Sequence, residues 1–108
     1  MNTEFSDLGR YAEPSLFILV SLSDGPKHGY AIMDDSEAVA GRRIGAGTMY
    51  GALARLERLG MIEPVAADGS RRRPYRLTAL GATSLKAQLE RLNDLSETGL
   101  ARLDGATR

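Results

Sequence analysis

The stretch that decides the fold runs from Gly45 to Pro64 and reads GAGTMYGALARLERLGMIEP. Its apolar residues Met49, Leu53 and Leu56 recur at the spacing of one face of an α-helix. Gly60 is a natural end for that helix, and the short apolar run after it predicts a strand. A glycine inside a helix costs about 1 kcal/mol relative to alanine, so the glycines at the front of this helix need a reason.

The face opposite the apolar stripe carries small and basic residues, where a solvated helix would carry Glu, Lys and Gln. Its members are Gly47, Thr48, Gly51, Ala54, Arg55 and Arg58. Small residues let a helix approach another surface closely, and the hydroxyl and guanidinium groups can bond phosphates or base edges. This pattern is typical of a recognition helix that enters the major groove of DNA by its N-terminal end. The alternative is that the glycines pack against protein.

Tyr50 falls on the flank of this helix. One interpretation is a half-buried packing residue whose hydroxyl reaches a DNA phosphate, and the other is a core residue only.

His28 is the only histidine and the chain has no cysteine, so neither a zinc site nor a catalytic site has partners at a suitable spacing. We predict no enzyme, metal or cofactor, and interpret His28 as a helix-start residue that is either packed or touching a phosphate.

Two further helices are predicted before this stretch. The first contains the run Leu16–Leu22, which is apolar on nearly all sides and should be deeply buried. The second spans about Lys27–Ala40 and ends at Gly41. Its inner stripe includes Ser36, where an apolar residue would fit better. The segment Arg42–Ile44 then forms a short linker or a brief strand.

A hairpin and a final helix are predicted after the stretch. The strands Met61–Val65 and Arg71–Leu77 flank a turn-rich loop. Thr78 is a good N-cap for a helix over Ala79–Leu103, which Gly99 would end or kink. The order of three helices, hairpin and helix predicts a mainly α fold with a small two-stranded β-wing. This is a winged helix-turn-helix with a long C-terminal dimerisation helix.

The predicted wing is strongly basic at Arg71, Arg72 and Arg73. A basic wing beside a recognition helix would contact phosphates or reach a minor groove, and we expect backbone contact from at least two of the three. A solvated edge strand that charge protects against aggregation is compatible with the same residues.

The predicted last helix carries leucines that one small domain cannot cover. We therefore expect a homodimer, and with it a roughly palindromic operator. The residues assigned to dimerisation are Leu16, Leu85, Leu89, Leu92 and Leu95. Residues 1–77 would form the DNA-binding unit, with residues 1–12 frayed, and residues 78–108 would form the dimerisation helix.

The net charge of zero over 108 residues hides a strong asymmetry. Residues 1–41 carry a net charge of −5, residues 42–76 carry +5, and residues 77–108 balance. All eight cations of the middle third are arginines, which suit phosphate and guanine geometry, although an ordinary solvated surface is the alternative. The absence of cysteine fits a reducing cytosol, and the longest apolar run is too short for a membrane span.

Three runs of this sequence resemble the PadR family of bacterial transcriptional regulators. They are ILVSLSDGPKHGYAIM at 18–33, IGAGTMYGALARLERLGMIEP at 44–64 and RRRPYRLTALG at 71–81. The resemblance implies a cytoplasmic homodimer that binds double-stranded DNA, usually as a repressor, with the C-terminal helix supplying most of the dimer contact. It also implies roles by position. Gly47, Thr48 and Tyr50 match the start of the family's recognition helix, and Tyr30 matches a second-helix tyrosine that is often near the phosphate backbone.

The resemblance has departures and leaves one alternative function. Ala46 and Gly51 stand where many members have proline, and Ser36 stands at a usually apolar position, which predicts loose packing of the second helix. Relatives that respond to aromatic small molecules at the dimer interface imply an effector of that class, but the chain has no Trp for a tryptophan-lined drug slot. The alternative is a winged-helix protein-interaction module without DNA binding, which would use the glycine-rich face against protein.

Overall fold

The computed structural model describes residues 12–65 and 73–106. These residues form four α-helices and one antiparallel two-stranded sheet, so the predicted order of elements is confirmed. Predictions that concern residues 1–11 or 66–72, including Arg71 and Arg72, lie outside the described residues. The elements are α1 Ala12–Leu22, α2 Gly29–Ala40, α3 Ala46–Arg58, β1 Ile62–Pro64, β2 Tyr75–Leu77 and α4 Ala79–Ala106.

The core is built around α1, which contacts α2, α3, α4 and β2. Ile18 and Leu19 of α1 are fully buried, which confirms the prediction from the apolar run. Met49, Leu53 and Leu56 of α3 are buried as well, so the predicted inward face of that helix is confirmed. Burying a side chain of this size contributes roughly 1.5–3 kcal/mol, so these contacts fix α3 on α1.

The second helix starts two residues later than the sequence predicts. The backbone of Lys27 is engaged elsewhere: its N–H donates to the Tyr75 carbonyl at 3.1 Å, and the Tyr75 N–H donates back at 2.9 Å. This isolated antiparallel bridge sets Lys27 against the first residue of β2 and excludes Lys27 from the helix. His28 then serves as the N-cap residue of α2, which confirms its position at a helix start.

The packing of α2 corrects the expectation attached to Ser36. This side chain is buried, and its hydroxyl donates to the Met33 carbonyl at 2.6 Å and accepts the Ile44 N–H at 3.1 Å. The expectation that an apolar residue would fit better is wrong, because such a residue would leave the Ile44 N–H without this acceptor. The segment 42–44 is a linker and forms no strand.

The start of α4 is joined to the end of α3. Gly60 has a φ of 78°, the left-handed conformation expected after a helix, and the chain then turns into β1. Thr78 caps α4 as predicted, because its Oγ1 accepts the Gly81 N–H at 3.0 Å and donates to the Gly60 carbonyl at 2.6 Å. Gly81 lies directly on the Met61 carbonyl, where a Cβ would fall far inside van der Waals contact.

Two predicted boundaries are wrong. The strands are shorter than expected, and within the described residues the second begins at Tyr75, because Pro74 has no N–H to give to the ladder. The register sets Glu63 opposite Arg76. The fourth helix does not end at Gly99 but continues to Ala106, because glycine weakens a helix without blocking helical dihedral angles.

Candidate nucleic-acid interface

The outward face of α3 is accessible where the sequence places it. Gly47, Thr48, Ala54, Arg55 and Arg58 are exposed, whereas Gly51 is half-buried. A Cβ added at Gly47 would meet no atom within 4 Å, so packing against the described chain does not require glycine there. The glycine therefore has to be explained by something outside the described fold or by chance.

Two exposed tyrosines lie near the starts of two helices, Tyr30 in the first turn of α2 and Tyr50 in the second turn of α3. Tyr30 is 58% exposed and Tyr50 is 54% exposed, so Tyr50 is not the core residue of the second interpretation. A Cβ at Gly29 would lie 3.3 Å from the Tyr50 hydroxyl oxygen and 3.0 Å from Met49 Cε. Gly29 thus lets α2 begin against α3, which brings the Tyr50 hydroxyl to the N-terminal end of α2.

Tyr75 of β2 is half-buried and lies within electrostatic reach of the C-terminal end of α3. Burial raises the pKa of the Tyr75 phenol, the Glu57 carboxylate raises this pKa further, and the Arg73 guanidinium opposes both. Glu57 of α3 and Arg73 of the wing therefore both lie close enough to Tyr75 to influence its ionisation. Across the sheet, Arg76 Nε bonds Glu63 Oε1 at 2.7 Å. Arg73 is exposed, and Arg71 and Arg72 precede it outside the described residues.

Two arginines of the turn before α3 are paired within the chain, a feature that the charge count does not reveal. Arg42 Nη2 lies 2.9 Å from Glu13 Oε1 of α1. Arg43 bonds Asp34 and lies 3.6 Å from Glu37 Oε1, both on α2, and the Asp34 hydrogen bond raises the pKa of Arg43. Acids of the first third of the chain therefore balance part of the basic middle third. Asp34 and Glu37, one helical turn apart, are the only sequence signal for this.

The leucines assigned to dimerisation separate into two groups. Leu85 is only 5% exposed and belongs to the core of its own chain, and Leu16 is half-buried against that core. Leu89, Leu92 and Leu95 are 41%, 38% and 68% exposed. The helix turns Leu85 toward α1 because it lies in the part of α4 that covers the domain. Leu85 is thus a core residue before any partner is considered.

Other site types find little support in the described part of the chain. The imidazole Nδ1 of His28 is buried and has no hydrogen-bond partner among the described residues. In those same residues, no three metal-ligating side chains cluster. No helix of residues 12–65 and 73–106 is long and apolar enough to cross a lipid bilayer.

Comparisons with known proteins agree on one family. The family model "Transcriptional regulator PadR-like family" matches residues 18–87. An uncharacterised 37.1 kDa transposon protein of Streptomyces fradiae is 41% identical over 87 residues, which are 81% of this chain. The chain spans only 25% of that relative's length.

Solved structures share the whole fold. A transcriptional regulator from Clostridium thermocellum superposes with a TM-score of 0.74 at 29% identity, covering 90% of this chain and 94% of its own. A PadR family regulator from Clostridium difficile gives a TM-score of 0.71 at 24% identity, covering 82% of this chain and 96% of its own. These matches confirm the predicted winged helix fold with a long C-terminal helix.

Proposed function

Because the chain belongs to the PadR-like family of transcriptional regulators, we propose that it is a sequence-specific DNA-binding repressor that acts as a cytoplasmic homodimer. The family is one of regulators rather than enzymes, so binding is the activity to be explained. Residues 1–77 are proposed to bind DNA, and residues 78–108 to hold the dimer together.

The observation that carries this proposal is the outward face of α3. Gly47 leaves open space at the start of the helix, and exposed Thr48 and Arg55 lie on the same side. A major groove admits a helix whose leading face is small, and Thr and Arg can bond base edges there. We propose that Thr48 and Arg55 read bases, and that Gly47 and Gly51 let the backbone approach them.

Phosphate contacts are proposed around that face. Tyr30 lies in the first turn of α2, and the Tyr50 hydroxyl lies beside Gly29 at the N-terminus of that helix, where backbone N–H groups favour an anion. Arg58 lies toward the other end of α3, and the wing arginines Arg71, Arg72 and Arg73 would hold the flanking backbone. Contacts of this kind fix the position of the protein on DNA without reading sequence.

The proposed dimer predicts the symmetry of the proposed operator. Leu89, Leu92 and Leu95 leave an apolar surface on α4 that a second copy would cover. A two-fold dimer presents two recognition helices, so we expect a palindromic operator with half-sites about one helical turn apart. We also propose that an aromatic small molecule, bound at the dimer interface, releases the protein from DNA, as the family resemblance implies. Titration of the protein–DNA complex with candidate effectors would test this.

Selection of bound duplexes from a random pool tests DNA binding and identifies the site together. The expected result is a palindromic consensus whose affinity falls steeply with salt, because binding releases counterions. Failure to enrich any sequence, together with no shift of any duplex at low salt, would contradict the proposal. That outcome would favour a protein-interaction module.

A further inference from the structure

A cavity of about 230 Å³ opens at the turn between α2 and α3. Arg42, Arg43 and Thr48 supply its polar side chains, and Gly45 supplies exposed backbone. None of the described residues that line it carries a carboxylate. The lining thus combines two guanidinium groups with a hydroxyl, and these are donors that suit an oxyanion such as a phosphate.

The cavity adjoins the surface that is proposed to bind DNA. Thr48 belongs to both, because it lies on the exposed outward face of α3 and also lines the cavity. When a recognition helix enters a major groove by its N-terminal end, the backbone at the edge of the groove passes close to the start of that helix. The anion nearest to the cavity in such a complex is a phosphate of that backbone.

We propose that this cavity binds one backbone phosphate of the duplex, and that Arg42 and Arg43 turn to it from the carboxylates that hold them in the free protein. This inference rests on the proposed DNA binding and adds two phosphate contacts to it. In the free chain, Arg42 is held by Glu13 of α1, and Arg43 is held by Asp34 and Glu37 of α2. These carboxylates hold both arginines at the cavity until a phosphate replaces them.

Both guanidinium groups can make this exchange at small cost. The Arg42 side chain is 68% exposed and its partner Glu13 is 63% exposed, and water and salt leave such a pair little net stability. The described pairs use one terminal nitrogen of each arginine, Nη2 of Arg42 and Nη1 of Arg43. A guanidinium has further N–H donors in the same planar fork, which fits a phosphate with two parallel bonds.

The backbone that carries the arginines is fixed independently of these ion pairs. The Ile44 N–H donates to the buried Ser36 hydroxyl at 3.1 Å, and the Met49 N–H donates to the Gly45 carbonyl at 2.9 Å. Because the turn keeps these bonds when the carboxylates release the arginines, only the two side chains have to move. Two roles for the pairs then make opposite predictions. Carboxylates that compete with a phosphate lower DNA affinity, whereas carboxylates that clamp the turn raise it.

The first experiment removes one competing carboxylate from the full chain and measures affinity for the selected operator duplex by fluorescence anisotropy. Asp34→Asn should tighten binding by roughly two- to fivefold, because Arg43 loses one of its competing partners. Asp35→Asn is the matched control, since it removes the same charge from the next position of α2 and Asp35 makes no ion pair with the described residues. In an Arg43→Gln background, Asp34→Asn should gain no more than Asp35→Asn does.

The second experiment measures the salt dependence of the same affinity. Arg42→Gln with Arg43→Gln should reduce the salt slope by about 0.9, the value for one phosphate contact fewer. Arg42→Lys with Arg43→Lys keeps both charges and should recover most of the slope. Arg91→Gln with Arg102→Gln removes two exposed arginines from α4, which carries no proposed DNA contact, and should leave the slope unchanged. Thermal melts check that each variant is folded.

The outcomes separate this site from DNA binding itself. A wild-type chain that shifts no duplex at low salt overturns both the proposed function and this inference. A wild-type chain that binds DNA overturns the phosphate site alone if Arg42→Gln with Arg43→Gln leaves the slope unchanged, or if Asp34→Asn weakens binding. A tighter Asp34→Asn variant, together with the shallower slope of the arginine double variant, supports the exchange.

Inorganic phosphate distinguishes a site for DNA from a site for a free anion. Potassium phosphate and potassium chloride are compared in thermal melts at equal ionic strength. A rise in melting temperature that needs both arginines, with no loss of salt slope in Arg42→Gln with Arg43→Gln, would assign the cavity to a free anion. That result would overturn its assignment to the backbone of a duplex.

Discussion

The hydroxyl of Ser36 in α2 accepts the backbone N–H of Ile44 at 3.1 Å, across the turn that leads into α3. Ile44 is buried, and Gly45 immediately after it is the N-cap residue of α3. A single side chain of one helix therefore fixes the backbone from which the next helix starts. Because the proposed base-reading residues Thr48 and Arg55 both lie on α3, this bond helps to set their position relative to α2.

Ser36→Ala is expected to lower the free energy of unfolding by about 1–3 kcal/mol, the typical cost of leaving a buried donor unsatisfied. Ser36→Val should destabilise the chain as well, although valine is the more apolar residue. Ser21→Ala is the control, because the Ser21 hydroxyl is buried without a hydrogen-bond partner among the described residues. Urea denaturation measures all three, and equal losses at Ser36 and Ser21 would contradict the assigned role.

Gly81→Ala is expected to be among the most damaging single substitutions in the chain. The new methyl group would collide with the Met61 carbonyl, which belongs to the backbone and cannot rotate away. Either α4 shifts or the junction with β1 opens, and overpacking of this kind costs typically 1–3 kcal/mol or more. Gly105→Ala, in open space on the same helix, should be neutral or slightly stabilising in thermal melts.

Gly47→Ala is expected to separate stability from DNA affinity. It should stabilise α3 by up to about 1 kcal/mol, because alanine is the better helix former and the added Cβ meets no neighbour. Its affinity for the selected operator should fall, because the methyl group occupies the space proposed for DNA. A variant that is more stable and binds equally well would remove the proposed reason for the glycine.

Substitutions in α3 and in the wing should affect DNA binding differently. Thr48→Ala and Arg55→Ala should change which sequences are enriched, since these residues are proposed to read bases. Arg71→Ala with Arg72→Ala should weaken binding to all duplexes alike and reduce the salt slope by about 0.9 for each phosphate that these arginines neutralise. Arg76→Ala is a useful comparison, because this arginine is already paired with Glu63.

The pKa of Tyr75, raised by burial and by Glu57, predicts a loss of stability at high pH. An unfolded tyrosine ionises near pH 10, whereas the folded chain holds this proton to a higher pH. Its contribution to stability is therefore complete below about pH 10 and disappears as the pH rises through the folded pKa.

Tyr75→Phe should flatten that decline in stability. It should also remove a phenol that ionises above the usual tyrosine range from an absorbance titration, which is favourable in a chain with no tryptophan. If Tyr75→Phe instead removes a phase at or below the usual tyrosine range, the raised pKa of Tyr75 is wrong.

The sequence predicts the elements that periodicity determines. The inward face of α3, the cap at Thr78 and the helix ends at Gly41 and Gly60 all follow from local spacing and capping chemistry, and the structure confirms them. What periodicity cannot supply is contact between distant segments. The pairing of Lys27 with Tyr75 shortens α2, and no local pattern announces it.

For the candidate site, too, the sequence predicts what local helical periodicity determines and misses the contacts between distant segments. The exposed face of α3 follows from the helical wheel, and its exposure is confirmed, while the DNA contacts stay predictions. The sequence could not show that Arg43 is engaged by Asp34, because charge counts ignore direction in space. Nor could the sequence show that Leu85 is covered by its own chain. Leucines have the same spacing along a helix whether they face the core of their own chain or a partner.

The bridge between Lys27 and Tyr75 has a mechanical consequence. Two backbone hydrogen bonds couple the wing strand to the residue that immediately precedes the N-cap of α2. A displacement of β2 would therefore pull on the segment that leads into the first turn of α2. If the wing contacts DNA as proposed, a change in groove width there would displace the segment that carries Tyr30 as well.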